Sequence, residues 1–114
     1  MSTILLVEDE PDIRHVVKLT LSQAGYDVID VPTGEDALEH ITSADLILLD
    51  LRLPGIDGFG VLDALGDPPP LPVIVMSAHA RRDTAERAVE RGVAGYITKP
   101  FTSAELLAEV RRYL

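Results

Sequence analysis

Four ionisable side chains follow short apolar runs in this chain. They are Glu8 and Asp9 after residues 3–7, Asp50 after residues 46–49, and Lys99 after residues 96–98. If these runs are neighbouring parallel strands, their carboxyl ends bring all four groups to one edge of a sheet. Carboxylates held close together repel, so they either change their pKa values or share a cation. Because the donors are oxygens, Mg²⁺ would suit them, and the pattern indicates a phosphoryl-transfer site.

The composition is typical of one globular domain. The chain has 114 residues, 46% of them hydrophobic, so we expect a single domain over residues 1–114 with a substantial core. A formal net charge of −9 argues against direct nucleic-acid binding. The absence of cysteine excludes disulfides and thiol chemistry. We expect a cytoplasmic protein without membrane contact, because neither a basic signal-peptide start nor a membrane-length apolar run is present.

Strand and helix patterns alternate along the whole chain. Apolar runs predict strands near residues 3–7, 27–31, 45–49, 73–76 and 94–98. Between them lie helical repeats, the first ended by Gly25 and the last begun by the capping box of Thr102 and Glu105. This alternation predicts an α/β fold in which a five-stranded parallel sheet, in order 2-1-3-4-5, is doubly wound with five helices.

The first and fourth predicted helices differ in how apolar their core-facing sides are. The first carries an apolar repeat that includes Val16. The fourth, residues 83–91, is polar, with only Ala85, Ala88 and Val89 on its apolar side. Because few buried contacts would hold that helix, we expect it to be the mobile element of the domain.

Four short motifs lie at the ends of the predicted strands. They are Val7-Glu8-Asp9, Asp50-Leu51-Arg52-Leu53-Pro54-Gly55-Ile56-Asp57-Gly58, Ser77-Ala78 and Tyr96-Ile97-Thr98-Lys99-Pro100-Phe101. In their order and at these elements, they make the whole chain resemble a bacterial response-regulator receiver domain of the chemotaxis-regulator type. The resemblance implies a flavodoxin-like fold and a role in two-component signalling. The partners it implies are a sensor histidine kinase or phosphotransfer protein, and an output domain or target that the sequence does not identify.

The resemblance also implies a role for each matching acid. Asp50 would be the phosphoacceptor, because a carboxylate is ionised at neutral pH and needs no general base. Glu8, Asp9 and Asp50 would bind Mg²⁺ together with the backbone carbonyl of Arg52. The family usually has two aspartates where this chain has Glu8 and Asp9, so Asp9 is the more direct ligand, and Glu8 would reach the ion either directly or through water.

Three further residues would complete the switch. By resemblance, Lys99 pairs with Asp50 and then contacts the phosphoryl group, and the peptide bond before Pro100 is cis. Ser77 would donate a hydrogen bond to a phosphoryl oxygen, and Tyr96 would move inward when Ser77 moves, although simple core packing is the alternative for this ring. The chain would then be a signalling switch that catalyses only its own phosphorylation and dephosphorylation.

The surface that responds to phosphorylation would consist of helix 83–91, strand 94–98 and helix 103–113. Regulators of one large DNA-binding subfamily usually carry two acids just before the tyrosine and use them across a dimer. This chain has Ala94 and Gly95 there. We therefore expect a monomer or a weak phosphorylation-dependent dimer.

Two other functions stay open from the sequence. A pseudo-receiver would keep the fold as a binding module without phosphorylation. An aspartate-nucleophile phosphatase of the haloacid-dehalogenase type would need a second acid two residues after Asp50, where this chain has Arg52. In the receiver interpretation, Arg52 and His79 flank the path of a water molecule to the acyl phosphate, which predicts that they influence its lifetime.

Overall fold

The computed structural model of this chain describes residues 2–78 and 82–114, without the side chains of residues 82 and 83. The strands are β1 (Thr3–Val7), β2 (Asp27–Val31), β3 (Leu46–Asp50), β4 (Val73–Ser77) and β5 (Gly95–Thr98). The helices are α1 (Pro11–Gln23), α2 (Gly34–Leu38), α3 (Gly58–Leu65), α4 (Arg82–Glu90) and α5 (Ser103–Arg111), with a 3-10 turn at Ile41–Ser43. His79, for which the sequence predicts an influence on phosphate lifetime, lies outside the described residues.

The strands form one parallel sheet in the order β2-β1-β3-β4-β5, which confirms the predicted topology. Val7 at the end of β1 pairs with Leu49, and Asp50 at the end of β3 pairs with Met76. This register leaves the carboxyl ends of β1, β3 and β4 level with one another. Any side chain that follows one of these strands therefore lies at the same edge of the sheet.

The central strands are buried on both faces, as their unbroken apolar sequences predict. Leu5 and Val7 face a core cluster that includes residues of α2, α3 and α4. Ile4 and Leu6 face the opposite cluster, which contains residues of α1 and α5. Each fully buried aliphatic side chain contributes roughly 1.5–3 kcal/mol. β2 lies at the edge of the sheet and is mostly half-buried, which its alternating sequence predicts.

Local signals set the helix ends. Pro11 begins α1, where its missing N–H leaves no helical bond unmade. Gly25 follows that helix with φ +98, a conformation that side chains with a Cβ rarely adopt. At α5, Thr102 accepts from the Glu105 backbone N–H while the Glu105 carboxylate accepts from the Thr102 N–H, so the predicted capping box is confirmed.

The predicted apolar faces of α1 and α4 are wrong at Val16 and Val89, and Ala24, which the repeat also included, is exposed at the end of α1. Val16 is 59% exposed and Val89 is 65% exposed. In α1 the buried stripe consists of Val17 and Leu21, one helical turn apart, so Val16 is rotated by about 100° from the sheet. In α4, Ala88 is fully buried and its neighbour Val89 is turned outward in the same way.

Gly58 begins α3 in close contact with the backbone that follows β3. A Cβ at this position would lie 2.6 Å from Leu51 Cα and 2.7 Å from the Asp50 carbonyl oxygen. Gly58→Ala would force the backbone beside Asp50 to move. We expect it to lower the free energy of unfolding by about 1–3 kcal/mol, measured by urea denaturation.

Gly60→Ala is the matched control, because Gly60 lies in the same helix. Its added Cβ would come no closer than 3.3 Å, to Ile56 Cβ. Alanine is also favoured over glycine within a helix by about 1 kcal/mol. Stability should therefore stay within about 1 kcal/mol of the wild type. Equal losses in the two variants would show that the close approach at Gly58 is unimportant.

Candidate functional site

The sheet edge brings the three predicted carboxylates together. Carboxylate oxygens of Glu8, Asp9 and Asp50 lie within 4.8 Å of one another. Glu8 is 1% exposed and Asp50 is 5% exposed, whereas Asp9 faces solvent. Two of the acids are thus removed from water, and the third is positioned where a dissolved ion or ligand would arrive first.

Lys99 bonds to two of the three acids. Its Nζ lies 2.5 Å from Glu8 Oε1 and 3.1 Å from Asp50 Oδ2. The Lys99 backbone N–H donates to the Ser77 carbonyl at 2.8 Å, and the peptide bond to Pro100 is cis. The resemblance implies the pairing with Asp50 but not the shorter one with Glu8. The longer side chain of glutamate accounts for that second contact.

Burial and neighbouring charges together determine the protonation of Glu8 and Lys99. Burial raises the pKa of Glu8 to about 7; the adjacent Asp50 carboxyl adds to this effect and Lys99 opposes it. Burial by itself would lower the pKa of Lys99, but its bond to Glu8 and the negative charges of both acids outweigh burial. The Lys99 pKa therefore lies above its ordinary value of 10.5. Lys99 remains an ammonium at neutral pH.

The turn after β3 orients Asp50. Its Oδ1 accepts a hydrogen bond from the Arg52 backbone N–H at 3.0 Å, while Oδ2 accepts from Lys99. The Leu51 carbonyl accepts from the Gly58 N–H at 3.0 Å, which fixes the start of α3 beneath this turn. The Arg52 side chain is exposed, and the role of its carbonyl as a metal ligand stays a prediction.

Ser77 and Tyr96 lie on the neighbouring strands. Ser77 is buried at the end of β4, one residue beyond Met76, which pairs with Asp50. Tyr96 pairs with Val75 and is a half-buried residue packed against the core cluster on the α3 side. Their proximity to the site follows from the register, and their roles as a switch pair stay predictions.

An open cavity of about 710 Å³ leads to the acids. Its polar lining includes Glu8, Asp9, Asp50, Arg52 and Lys99, and its apolar lining includes Ile13, Val17 and Phe101. A phosphoryl donor can therefore reach Asp50 from solvent.

The donor set fits Mg²⁺. All three converging side chains offer carboxylate oxygens, which a hard divalent cation prefers. Among the described residues, Lys99 is the one ammonium paired with this cluster, through Glu8 and Asp50, so the three carboxylates keep an excess of negative charge that a cation would reduce. Asp9 is the exposed member, so its carboxylate is the one that a dissolved ion can reach directly.

Sequence reasoning missed Arg14. Its Nη1 donates to the Glu8 carbonyl at 3.0 Å, and its Nε lies 3.3 Å from Asp30 Oδ2 on β2. The signal in the sequence is weak, because an arginine in the first turns of a helix usually faces solvent. Only the packing of α1 beside β2 reveals the contact.

Comparisons with known proteins agree with the geometry of the site. The family model described as "Response regulator receiver domain" matches residues 4–111. The chain is 37% identical over 113 residues to the transcriptional regulatory protein KdpE of Mycobacterium tuberculosis, covering 97% of this chain and 50% of that protein. It is 40% identical over 113 residues to the transcriptional regulatory protein HprR of Escherichia coli, covering 97% and 51%.

A solved structure shares the whole fold. The chemotaxis protein CheY4 of Vibrio cholerae superimposes with a TM-score of 0.90 at 27% identity, covering 100% of this chain and 99% of that one. The chain belongs to the response-regulator receiver-domain family, and it is a phosphoacceptor module of two-component signalling. It spans about half the length of the curated relatives that it matches. Within the described residues, no helix is long and apolar enough to span a membrane.

The raised pKa of Glu8 predicts how the free energy of unfolding of the metal-free protein depends on pH. The folded protein binds this proton up to a pKa of about 7, whereas the unfolded chain releases it near 4.5. The resulting stabilisation is complete below pH 4.5 and is lost as the pH rises through 7. Its upper limit is about 3 kcal/mol.

Urea denaturation in chelator-containing buffer should reveal this loss as a difference between the wild type and Glu8→Gln. The amide has the same size and can still accept from Lys99, but it does not titrate. From pH 4.5 to above 7, the wild type should lose stability relative to the variant. A difference that stays constant across this range would contradict the assignment of the proton to Glu8.

Proposed function

We propose that Asp50 is the residue that accepts the phosphoryl group. The observation that carries this proposal is the position of Asp50 between the acids Glu8 and Asp9 and the ammonium of Lys99, at an open cavity. A lone aspartate at a strand end would be an ordinary turn residue. In this group it is a carboxylate held in place from two sides, by the Arg52 backbone N–H and by Lys99.

The proposed reaction is a direct displacement. The phosphorus–nitrogen bond of a donor phosphohistidine breaks, a phosphorus–oxygen bond to the Asp50 carboxylate forms, and the imidazole leaves. No proton has to be removed from Asp50, so no general base is needed. Lys99 keeps its proton and, at 3.1 Å from Asp50 Oδ2, lies close enough to contact a phosphoryl oxygen after transfer.

The same acids would hold Mg²⁺. We propose Asp9 and Asp50 as direct ligands, with Glu8 and the Arg52 carbonyl completing the protein contribution. When bound, the ion would neutralise charge between the carboxylate and the phosphoryl oxygens. Glu8 already binds Lys99 and the Glu10 N–H through its two oxygens, which supports a less direct role for it than for Asp9.

Phosphorylation would then shift the domain between two states. Moving such an equilibrium from 1:99 to 99:1 requires about 5.5 kcal/mol. A hydrogen bond from Ser77 to a charged phosphoryl oxygen supplies roughly 1.5–3 kcal/mol. Contributions from Lys99 and from repacking of Tyr96 are therefore part of the proposal.

The element proposed to respond is α4, with β5 and α5 beside it. Among its described side chains, only Ala88 is fully buried. Partly exposed contacts also join α3 to α4 and to Arg91, the residue after α4: Arg87 and Arg91 lie over the Phe59 ring at 4.1 and 4.9 Å, and Arg91 Nε lies 2.9 Å from Asp63 Oδ1. Interactions of this kind contribute about 0.5–1 kcal/mol each when exposed, so α4 can move at low cost.

The proposed partners follow from the family. They are a sensor histidine kinase or phosphotransfer protein as donor, and an output domain or target protein as receiver of the signal. We propose residues 1–114 as a single receiver domain that acts in the cytoplasm as a monomer or weak phosphorylation-dependent dimer. The absence of cysteine supports that compartment, Ala94 and Gly95 argue against a tight dimer, and the charge of −9 argues against direct nucleic-acid binding.

Intact-mass measurement after incubation with Mg²⁺ and acetyl phosphate tests the phosphoacceptor. The wild type should gain one phosphoryl group, about 80 Da, and Asp50→Asn should gain none. Asp57→Asn is the matched control, because Asp57 is exposed in the following loop and asparagine keeps its capping role for α3. An equal adduct on Asp50→Asn would overturn the assignment, and a wild type without any adduct would favour the pseudo-receiver alternative.

Titration of Mg²⁺ by calorimetry tests the metal ligands. Asp9→Asn should weaken binding by at least about tenfold, since even outer-sphere partners of a metal contribute that much. Asp12→Asn removes an equal charge from the rim of the same cavity and should change affinity by no more than about twofold. If both variants behave alike, only the overall charge matters and Asp9 is not a ligand.

A further inference from the structure

The guanidinium of Arg14 joins the turn that carries the acids to a neighbouring strand. Its Nη1 donates to the carbonyl of Glu8 at 3.0 Å and approaches that of Asp9 at 3.5 Å. Its Nε lies 3.3 Å from Asp30 Oδ2, and Asp30 Oδ1 accepts from Lys18 at 2.8 Å. One planar cation thus contacts two backbone carbonyls and a carboxylate.

We infer that Arg14 is a positioning residue for the metal site, and that Asp30 holds Arg14 in place. Arg14 would fix the backbone of Glu8 and Asp9 so that their carboxylates keep their separation from Asp50. The inference rests on the proposed function in one respect, namely that these acids bind Mg²⁺. The backbone contacts themselves are independent of that proposal.

The register of the sheet explains why this turn needs such support. The pairing of β1 with both neighbours ends at Val7. The Glu8 N–H still donates to the Val31 carbonyl at 3.1 Å, but the carbonyls of Glu8 and Asp9 lie beyond the last paired residues. The Glu8 carbonyl is partly buried and needs a donor, which Arg14 supplies.

Arginine suits this position better than lysine. The guanidinium has five donors in a fixed plane, so it can contact the Glu8 carbonyl and Asp30 simultaneously. An ammonium on a flexible stem would carry the same charge without that geometry. Arg14→Lys therefore removes the planar geometry of the side chain while keeping its positive charge.

The charge of Arg14 and its positioning of the turn should affect Mg²⁺ affinity in opposite directions, so a variant that changes only one of them distinguishes the two. As a positive charge near the acids, Arg14 would by itself weaken the binding of a cation, so removing the charge would strengthen it. As a positioning group, it would strengthen binding, so losing its geometry would weaken it. Arg14→Lys keeps the charge and loses the geometry.

The first readout is the Mg²⁺ dissociation constant, measured by calorimetry. Arg14→Lys should bind Mg²⁺ about tenfold more weakly than the wild type, a loss typical of residues that orient metal ligands. Lys18→Gln is the matched control, because Lys18 shares Asp30 with Arg14 but, within the described residues, bonds to neither Glu8 nor Asp9. That variant should bind Mg²⁺ as the wild type does.

The second readout is hydrogen exchange in metal-free buffer, which does not depend on metal binding or phosphorylation. The amides of Asp9 and Glu10 should exchange faster in Arg14→Lys than in Lys18→Gln, while the amides of β3 are unchanged. Asp30→Asn should change the same amides in the same direction. Combining Asp30→Asn with Arg14→Lys should add little, because the two residues act as one unit.

Wild-type affinity together with wild-type exchange in Arg14→Lys would overturn the inference. So would equal losses in Arg14→Lys and Lys18→Gln, because these would indicate a general effect of charge or stability. Failure of the wild type to bind Mg²⁺ would instead count against the proposed function. The exchange of the Asp9 and Glu10 amides would still decide whether Arg14 positions the turn.

Discussion

The repulsion among the carboxylates of Glu8, Asp9 and Asp50 is the constraint on which the rest of the site depends. Two such charges within 4.8 Å of each other repel by at least about 3 kcal/mol at an effective dielectric constant near 20. Lys99 offsets part of this energy, and protonation of Glu8 offsets more, since burial raises its pKa to about 7. The repulsion that remains is the physical basis of the proposed Mg²⁺ binding.

The sheet supplies the stability that this arrangement requires. Residues of β1, β3 and β4 are buried between two layers of helices, and each large aliphatic side chain contributes roughly as much as one carboxylate pair costs. The destabilising cluster is confined to the carboxyl edge, where the strand backbones end. There the Lys99 N–H bond to Ser77 and the Gly58 N–H bond to Leu51 keep neighbouring elements in place.

Rigidity at the site contrasts with weak attachment at α4. Asp50 is held from two sides, whereas Ala88 is the fully buried residue among the described side chains of α4. Arg87 and Arg91 contact Phe59 at a partly exposed surface, where Arg91 also pairs with Asp63. A switch needs this difference, because the group that receives the phosphoryl must stay in place while another element moves. The proposed response of α4 fits this difference, because the central strands are fully buried and would cost far more to rearrange.

The sequence by itself determined the sheet order, the strand positions within about one residue, and the acids and lysine that meet at its edge. It could do so because buried parallel strands are continuous apolar runs and their carboxyl ends coincide. Tertiary structure alone decided that Lys99 lies closer to Glu8 than to Asp50, that Val16 and Val89 face solvent, and that Arg14 reaches the Glu8 carbonyl. These features depend on side-chain reach and on the rotation of each helix against the sheet, and local periodicity specifies neither.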